Sequence, residues 1–250
     1  MKFGLIGHPI EHSLSPALFK AGYNGLYPYD LIQTPDFEQA YQRFLEEYDG
    51  INVTAPFKEL ACAKADILSD ECVRIGATNL LVKTPEGVKA YNSDYLGVRI
   101  WISQVATRIP GDPTVLIVGM GGAGKAAAEA SRSLGYRTIL MNRTQFRDDI
   151  RPLSDFCECF HQADIIIYNL PVRIPQIDSL FEAAAPGKKH LLEANYKNPS
   201  FDPEIIDRLR LHGLKIEYHP GETWLLLQAG TGYEIFTGEM PDLSGMAKQI

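Results

Sequence analysis

The string Gly119-Met120-Gly121-Gly122-Ala123-Gly124 directly follows Thr114-Val115-Leu116-Ile117-Val118, a run of β-branched and aliphatic residues. Such a run fits a strand buried on both faces of a parallel sheet. A helical pattern then runs from residue 125 to about 134 and stops at Gly135. The glycines have the spacing G-x-G-x-x-G. In a strand–turn–helix setting the first glycine permits a tight turn and the second lets the backbone approach a pyrophosphate. The third lets the helix pack close to the strand, and the phosphate meets the free N–H groups at the helix start. Gly119, Gly121, Gly122, Ala123 and Gly124 are therefore candidate cofactor-binding residues. Further short apolar runs over 137–142, 164–168 and 190–194 alternate with helical stretches. That alternation argues a doubly wound α/β domain over about 97–219. Two other uses of the loop stay open. One is a tight βα turn with no ligand. The other is a nucleoside-triphosphate loop, since Gly119, Gly124 and Lys125 fit G-x-x-x-x-G-K; the next residue, Ala126, lacks the hydroxyl that would hold Mg²⁺.

The end of the following strand selects the cofactor. An NAD site places Asp or Glu there to hold the ribose 2′-hydroxyl. This chain has Asn142-Arg143-Thr144, with Arg147 three residues beyond. A carboxylate would repel a 2′-phosphate, whereas guanidinium groups and a hydroxyl attract it. The expected cofactor is NADP, with Asn142, Arg143, Thr144 and Arg147 in its site. A solvated surface turn with two arginines is the alternative.

Composition narrows the partners. Of the 250 residues, 45% are hydrophobic and 22% charged, as in an ordinary globular protein, and the net charge is −7. An acidic chain of this kind is a poor binder of nucleic acid or of an anionic membrane. No apolar run approaches the roughly 20 residues of a membrane-crossing helix, and the first residues do not have the pattern of a signal peptide. Cys62, Cys72, Cys157 and Cys159 form no C-x-x-C pair, and no histidines stand at metal-binding spacing. Free thiols, a cytoplasmic location and no metal are expected.

The first hundred residues have a different character. Strands are expected at 3–7, 29–32 and 50–54, and a hairpin over 78–92 around Pro85-Glu86-Gly87. Ser15 is expected to cap a helix with Pro16 at its first position. Residues 37–48 have apolar side chains at helical spacing: Phe37, Ala40, Tyr41, Phe44 and Leu45. Pro110-Gly111-Asp112-Pro113 looks like a joint, and a long helix-like stretch runs from Gly221 to Phe236. Three polar clusters remain: Ser13-Leu14-Ser15-Pro16; Asn52-Val53-Thr54-Ala55-Pro56-Phe57-Lys58; and Asn92-Ser93-Asp94 with Asn79 before it. Singly, each has a bland explanation as a helix cap or a solvated side chain.

Together, and in this order, the clusters resemble the shikimate dehydrogenase family. Ile6-Gly7-His8-Pro9-Ile10-Glu11-His12-Ser13-Leu14-Ser15-Pro16 looks like its opening motif, and the segment from Gly50 to Lys58 is similar to its most specific signature. Gly76-Ala77-Thr78-Asn79, Asn92-Ser93-Asp94, the arginine motif at 142–147 and Gln228-Ala229 complete a match along nearly the whole chain. The resemblance implies two domains. An N-terminal α/β substrate domain, 1–96, is completed by C-terminal helices over 220–250. A Rossmann-like NADP-binding domain, 97–219, is inserted between them. It implies reversible NADPH-dependent reduction of 3-dehydroshikimate to shikimate, in a monomer or homodimer, with Lys58 and Asp94 as the catalytic pair. It places Ser13 and Ser15 on the substrate carboxylate, Asn52, Thr54, Asn79 and Gln228 on ring hydroxyls, Tyr196 on the substrate side, and Gly221 on the cofactor. The chain departs from the family pattern at Tyr168-Asn169-Leu170-Pro171, Ser93, Tyr95 and Trp224. A quinate-type polyol dehydrogenase and a catalytically silent NADP-binding sensor are the competing functions.

Overall fold

A computed structural model describes residues 1–182 and 187–250. The chain divides into two compact units, residues 1–97 with 226–250, and residues 98–225.

The first unit begins with β1 (Phe3–Gly7), α1 (Ser15–Gly22), β2 (Tyr29–Gln33), α2 (Phe37–Glu47) and β3 (Gly50–Val53). Then come α3 (Lys58–Lys64), β4 (Ile67–Leu68), α4 (Asp70–Ile75), β5 (Leu80–Thr84) and β6 (Gly87–Tyr91), and α5 (Ser93–Ala106) crosses into the second unit. The six strands form one sheet in the order β2-β1-β3-β5-β6-β4. β1 is parallel to β2 and β3, and the β5–β6 hairpin joins β3 antiparallel. Helix α2 follows its apolar spacing: Phe37, Ala40, Tyr41 and Phe44 are buried, and the Asp36 side chain caps it by accepting from the Gln39 N–H. Helix α1 departs from expectation. Its N-cap is Leu14, which gives no side-chain cap, and Ser15 is already helical. The Ser13 hydroxyl accepts from the Ser15 N–H instead, at 3.2 Å. Pro16 still sits in the first turn, where no N–H is needed.

The second unit continues with β7 (Thr114–Val118), α6 (Gly122–Ser133), β8 (Arg137–Met141), β9 (Ile150–Arg151), α7 (Phe156–Gln162) and β10 (Ile165–Tyr168). β11 (Lys188–Glu193), α8 (Pro203–Leu211) and β12 (Lys215–His219) follow. All six strands are parallel, in the order β12-β11-β10-β7-β8-β9. The order reverses beside β7, and in such sheets ligands bind beyond the strand ends at the reversal. Helix α6 starts at Gly122, three residues before the expected position, because the glycines form its first turn. Its buried Gly124, Ala126, Ala127, Ala128 and Ala130 permit close packing on the sheet. On one side of the sheet Phe156, Phe160, Tyr168, Phe201 and Ile205 fill the core.

Pro110 to Pro113 is not where the units part; it links α5 to β7 within the second unit, and the division falls after Gly97. Helix α9 (Gly221–Thr237) starts in the second unit and belongs to the first from Leu226 onward, and α10 (Leu243–Ala247) follows. In the first unit Phe236 of α9 stacks on Phe3 at 4.9 Å, and Tyr233 packs edge-on against Phe19 at 4.7 Å. Among the described residues no helix is long and apolar enough to cross a membrane.

Candidate active site

The polar clusters of the first unit meet at the ends of its strands. Lys58 is the first residue of α3, just beyond β3, and its carbonyl accepts from the Thr78 N–H at 3.0 Å. Asp94 lies in the first turn of α5, immediately after β6. The Lys58 Nζ donates to Asp94 Oδ2 at 2.8 Å. The lysine side chain is 25% exposed and the aspartate 7%. A carboxylate this buried is costly unless paired, so Asp94 fixes the position of an ammonium that solvent and ligands can still reach.

Beside this ion pair lies a network of neutral donors and acceptors. Asn79 Oδ1 accepts from the Ser93 N–H at 2.8 Å, and its amide donates to the Ser93 hydroxyl at 3.0 Å. Gln228 of α9 donates to the same hydroxyl, also at 3.0 Å. A Cβ at Gly232 would stand 3.1 Å from Ser93 Oγ, so the glycine lets α9 approach this closely. Asn52 accepts from the Tyr29 hydroxyl at 2.8 Å and donates to the Asn79 carbonyl at 3.4 Å. The Ser13 hydroxyl donates to Ser15 Oγ at 3.1 Å, and Tyr233 donates to the Ser15 carbonyl at 3.2 Å. Burial raises the Tyr29 phenol well above the ordinary value, so it stays a neutral donor. Thr54 is half-buried and its N–H donates to the Ile6 carbonyl.

Of the expected residues, Asn79 and Gln228 are thus joined through Ser93 and Asn52 is held by Tyr29, while Ser13 and Ser15 bond to each other. Ser93 and Tyr29 were not singled out as site residues. Ser93 lies within the Asn92-Ser93-Asp94 cluster, but its link to Gln228 spans 135 positions. Tyr29 carried only the signal of a strand residue. Tyr95, bulky beside Asp94, is buried.

In the second unit the glycine turn has the form a pyrophosphate site needs. Gly119 has φ of +92°, which favours glycine. A Cβ at Gly124 would collide with the Gly119 carbonyl oxygen, whereas one at Gly121 would meet nothing within 4 Å. The turn is therefore tightly closed underneath and open on top. Asn142 Oδ1 accepts from the Met120 N–H at 3.1 Å, so its role is to hold the turn against the end of β8. Arg143 and Thr144 are exposed, with no carboxylate beside them in the segment from Asn142 to Arg147. Arg147 is engaged elsewhere: its guanidinium binds both oxygens of Asp149, at 2.9 and 2.7 Å, and holds that carboxyl below its ordinary range. The residues present fit NADP, and the exposed Arg143 could hold its 2′-phosphate. In the atypical loop after β10, Asn169 donates its N–H to the Val118 carbonyl at 2.7 Å, and Leu170 packs against Gly119. Gly221 starts α9, where a Cβ would collide with the backbone of Asn195 and Tyr196. Tyr196 is half-buried on the loop after β11, and Trp224 is buried.

Comparison with known proteins agrees with this geometry. Residues 5–81 match the shikimate dehydrogenase substrate binding domain, and residues 90–185 match the NAD binding domain of D-isomer specific 2-hydroxyacid dehydrogenases. Shikimate dehydrogenase (NADP(+)) of Archaeoglobus fulgidus is 30% identical over 97% of this chain and 95% of its own length. The pentafunctional AROM polypeptide of Candida tropicalis is 28% identical over 95% of this chain, which spans 17% of that much longer protein. Among solved structures, shikimate 5-dehydrogenase of Thermus thermophilus in complex with NADP(H) and shikimate superposes with a TM-score of 0.78 at 26% identity, covering 100% of this chain and 98% of its own. The paired lysine and aspartate, the glycine turn with its exposed arginine and a full-length relative all point the same way: the chain belongs to the shikimate dehydrogenase family.

Proposed function

We infer that the protein catalyses the reversible NADP-dependent interconversion of 3-dehydroshikimate and shikimate. The observation that carries the inference is the 2.8 Å pair between Lys58 and Asp94, beside a wall of amide and hydroxyl groups suited to a polyol. NADPH, when bound, would supply a hydride to the ketone carbon. Reduction leaves negative charge on the ketone oxygen. The Lys58 ammonium stabilises that charge and delivers the proton, giving the alcohol. Asp94 holds the amine in place through the whole cycle. In the oxidative direction the neutral amine of Lys58 accepts the hydroxyl proton.

Ser13 and Ser15 take the substrate carboxylate. Asn52, Thr54, Asn79 and Gln228 take the ring hydroxyls, with Ser93 and Tyr29 fixing the amides' orientation. In the cofactor site, Gly119, Gly121, Gly122, Ala123 and Gly124 approach the pyrophosphate, Asn142 holds the turn, and Arg143 with Thr144 takes the 2′-phosphate. Gly221 approaches the cofactor, and Tyr196 the substrate. The free thiols of Cys62, Cys72, Cys157 and Cys159 support a reducing, cytoplasmic location.

Initial rates of NADP⁺ reduction with shikimate and with quinate test the substrate. Shikimate is expected to give the larger kcat/KM; a quinate preference would move the assignment to the polyol class, and cofactor binding without turnover would make the chain a sensor. Arg143→Ala tests the cofactor. Loss of a charge-assisted bond costs about 1.5–3 kcal/mol, so the KM for NADP⁺ should rise about ten- to a hundredfold while that for NAD⁺ hardly moves. Equal losses for both would remove Arg143 from the 2′-phosphate.

A further inference from the structure

The second unit carries a cluster of ligand-type side chains that the reaction does not use. The parallel register of β11 and β12 pairs His190 with Glu217 and Leu192 with His219. Alternation along a strand therefore puts His190, Glu217 and His219 on one face of the sheet. One ligand atom from each lies within 4.8 Å of the others. His219 Nε2 stands 3.2 Å from Glu217 Oε1, and His190 Nδ1 stands 3.7 Å from Glu217 Oε2. His190 is 1% exposed, yet among the described residues neither of its ring nitrogens has a hydrogen-bond partner. Buried polar atoms are normally satisfied, and an orphaned pair needs a reason. The Trp101 ring meets His219 edge-on at 5.3 Å and helps to wall the cluster.

We propose that His190, Glu217 and His219 form a binding site for a divalent transition metal of the zinc type, joining β11 to the edge strand β12. Two imidazoles and a carboxylate are a nitrogen-rich set that suits zinc and its neighbours and not the oxygen-seeking Mg²⁺ or Ca²⁺. Zinc–ligand bonds of about 2.0–2.2 Å in a tetrahedron put ligand atoms about 3.3 Å apart, close to the two separations above. The donor atoms are also in the right state. Burial lowers both imidazoles' affinity for protons, and the neighbouring Lys188 and Arg108 keep Glu217 ionised, so the metal need displace no proton. Water would complete the tetrahedron. Sequence spacing hides the set because His190 reaches the other two only through the strand register.

Two cations already hold the carboxylate. Arg108 donates to Glu217 Oε1 at 2.8 Å, and Lys188 donates to Glu217 Oε2. Their side chains are 47% and 52% exposed and can turn outward, but they compete with a metal for the same oxygens. This competition gives the site a signature of its own: removing a competing cation should tighten metal binding, the reverse of what loss of a ligand does.

The test uses the full-length chain without a histidine tag. Zn²⁺ alone is titrated against a chromophoric chelator, and Co²⁺ alone is followed by its visible absorption. The expected result is one equivalent per chain and the strong visible bands of tetrahedral Co²⁺, without a sulfur charge-transfer band. His219→Gln and Glu217→Gln, both at partly exposed positions and checked for unchanged circular dichroism, should each weaken Zn²⁺ at least about tenfold. Lys188→Ala should tighten it severalfold. No saturable binding, a thiolate band, or binding that the first two variants leave unchanged would overturn the proposal.

Discussion

Lys58→Ala is expected to lower kcat by about 10²–10⁴, the range of a positioned proton donor, with a much smaller change in the KM for 3-dehydroshikimate. That loss corresponds to about 3–5 kcal/mol of barrier. The asymmetry follows from when the ammonium acts. In the ground state the ketone oxygen is neutral and gains little from a nearby cation. In the transition state it carries charge, and a donor already held 2.8 Å from Asp94 needs no reorganisation to meet it. The substrate's other contacts, to the serines and amides, remain in the variant. Removing the amine also leaves Asp94, 7% exposed, without its partner, so the melting temperature belongs beside the kinetics. A folded variant with near-normal kcat would take Lys58 out of the mechanism.

Acid should weaken the second unit through His190. Burial, the largest cause, lowers its pKa from 6.5 to about 4; Arg108, Lys188 and His219 push the same way, and Glu217 opposes them. Above pH 6.5 neither the folded nor the unfolded chain protonates this group, so it costs nothing. As the pH falls through 6.5 the unfolded chain takes a proton that the folded one refuses until about pH 4. Stability is lost across that window, by about 3 kcal/mol from the pKa difference. His219, also lowered by burial, adds in the same direction. Glu217, held down to about 2 by Lys188 first, loses its contribution only below the ordinary carboxylate range. Buried Glu193 runs the other way, since its raised pKa favours the fold more as the pH falls toward 4.5. The measurement is melting temperature against pH, with a chelator present so that bound metal adds nothing. His190→Leu should flatten the fall between pH 6.5 and 4; parallel curves for the two proteins would contradict the assignment.

Those groups also show where sequence reasoning stops. Helix α2 was legible because Phe37, Ala40, Tyr41 and Phe44 repeat at helical spacing and all go inward. The strands β7 and β10 were legible because buried parallel strands are apolar throughout. Edge strand β12, Lys-Ile-Glu-Tyr-His, has no such signal, and β9 is two residues long. Helix α6 starts ahead of its apolar pattern because this turn uses glycine, a poor helix former, for its first residues. Ser15 looked like a cap, but its side chain is engaged with Ser13. The motifs pointed to Lys58, Asp94 and Asn79. They could not show that Ser93 joins Asn79 to Gln228, or that Tyr29 orients Asn52, since those contacts exist only once the strands are in register.

The central claim is that Lys58 and Asp94 act as one device on the substrate oxygen, and a double-mutant cycle on kcat tests it most directly. Lys58→Ala, Asp94→Ala and the double variant are compared with wild type under saturating shikimate and NADP⁺. If the carboxylate works only by holding the amine, the double variant should be no slower than Lys58→Ala alone. Losses that multiply, with each single variant contributing its full factor to the double, would show two independent groups and contradict the account.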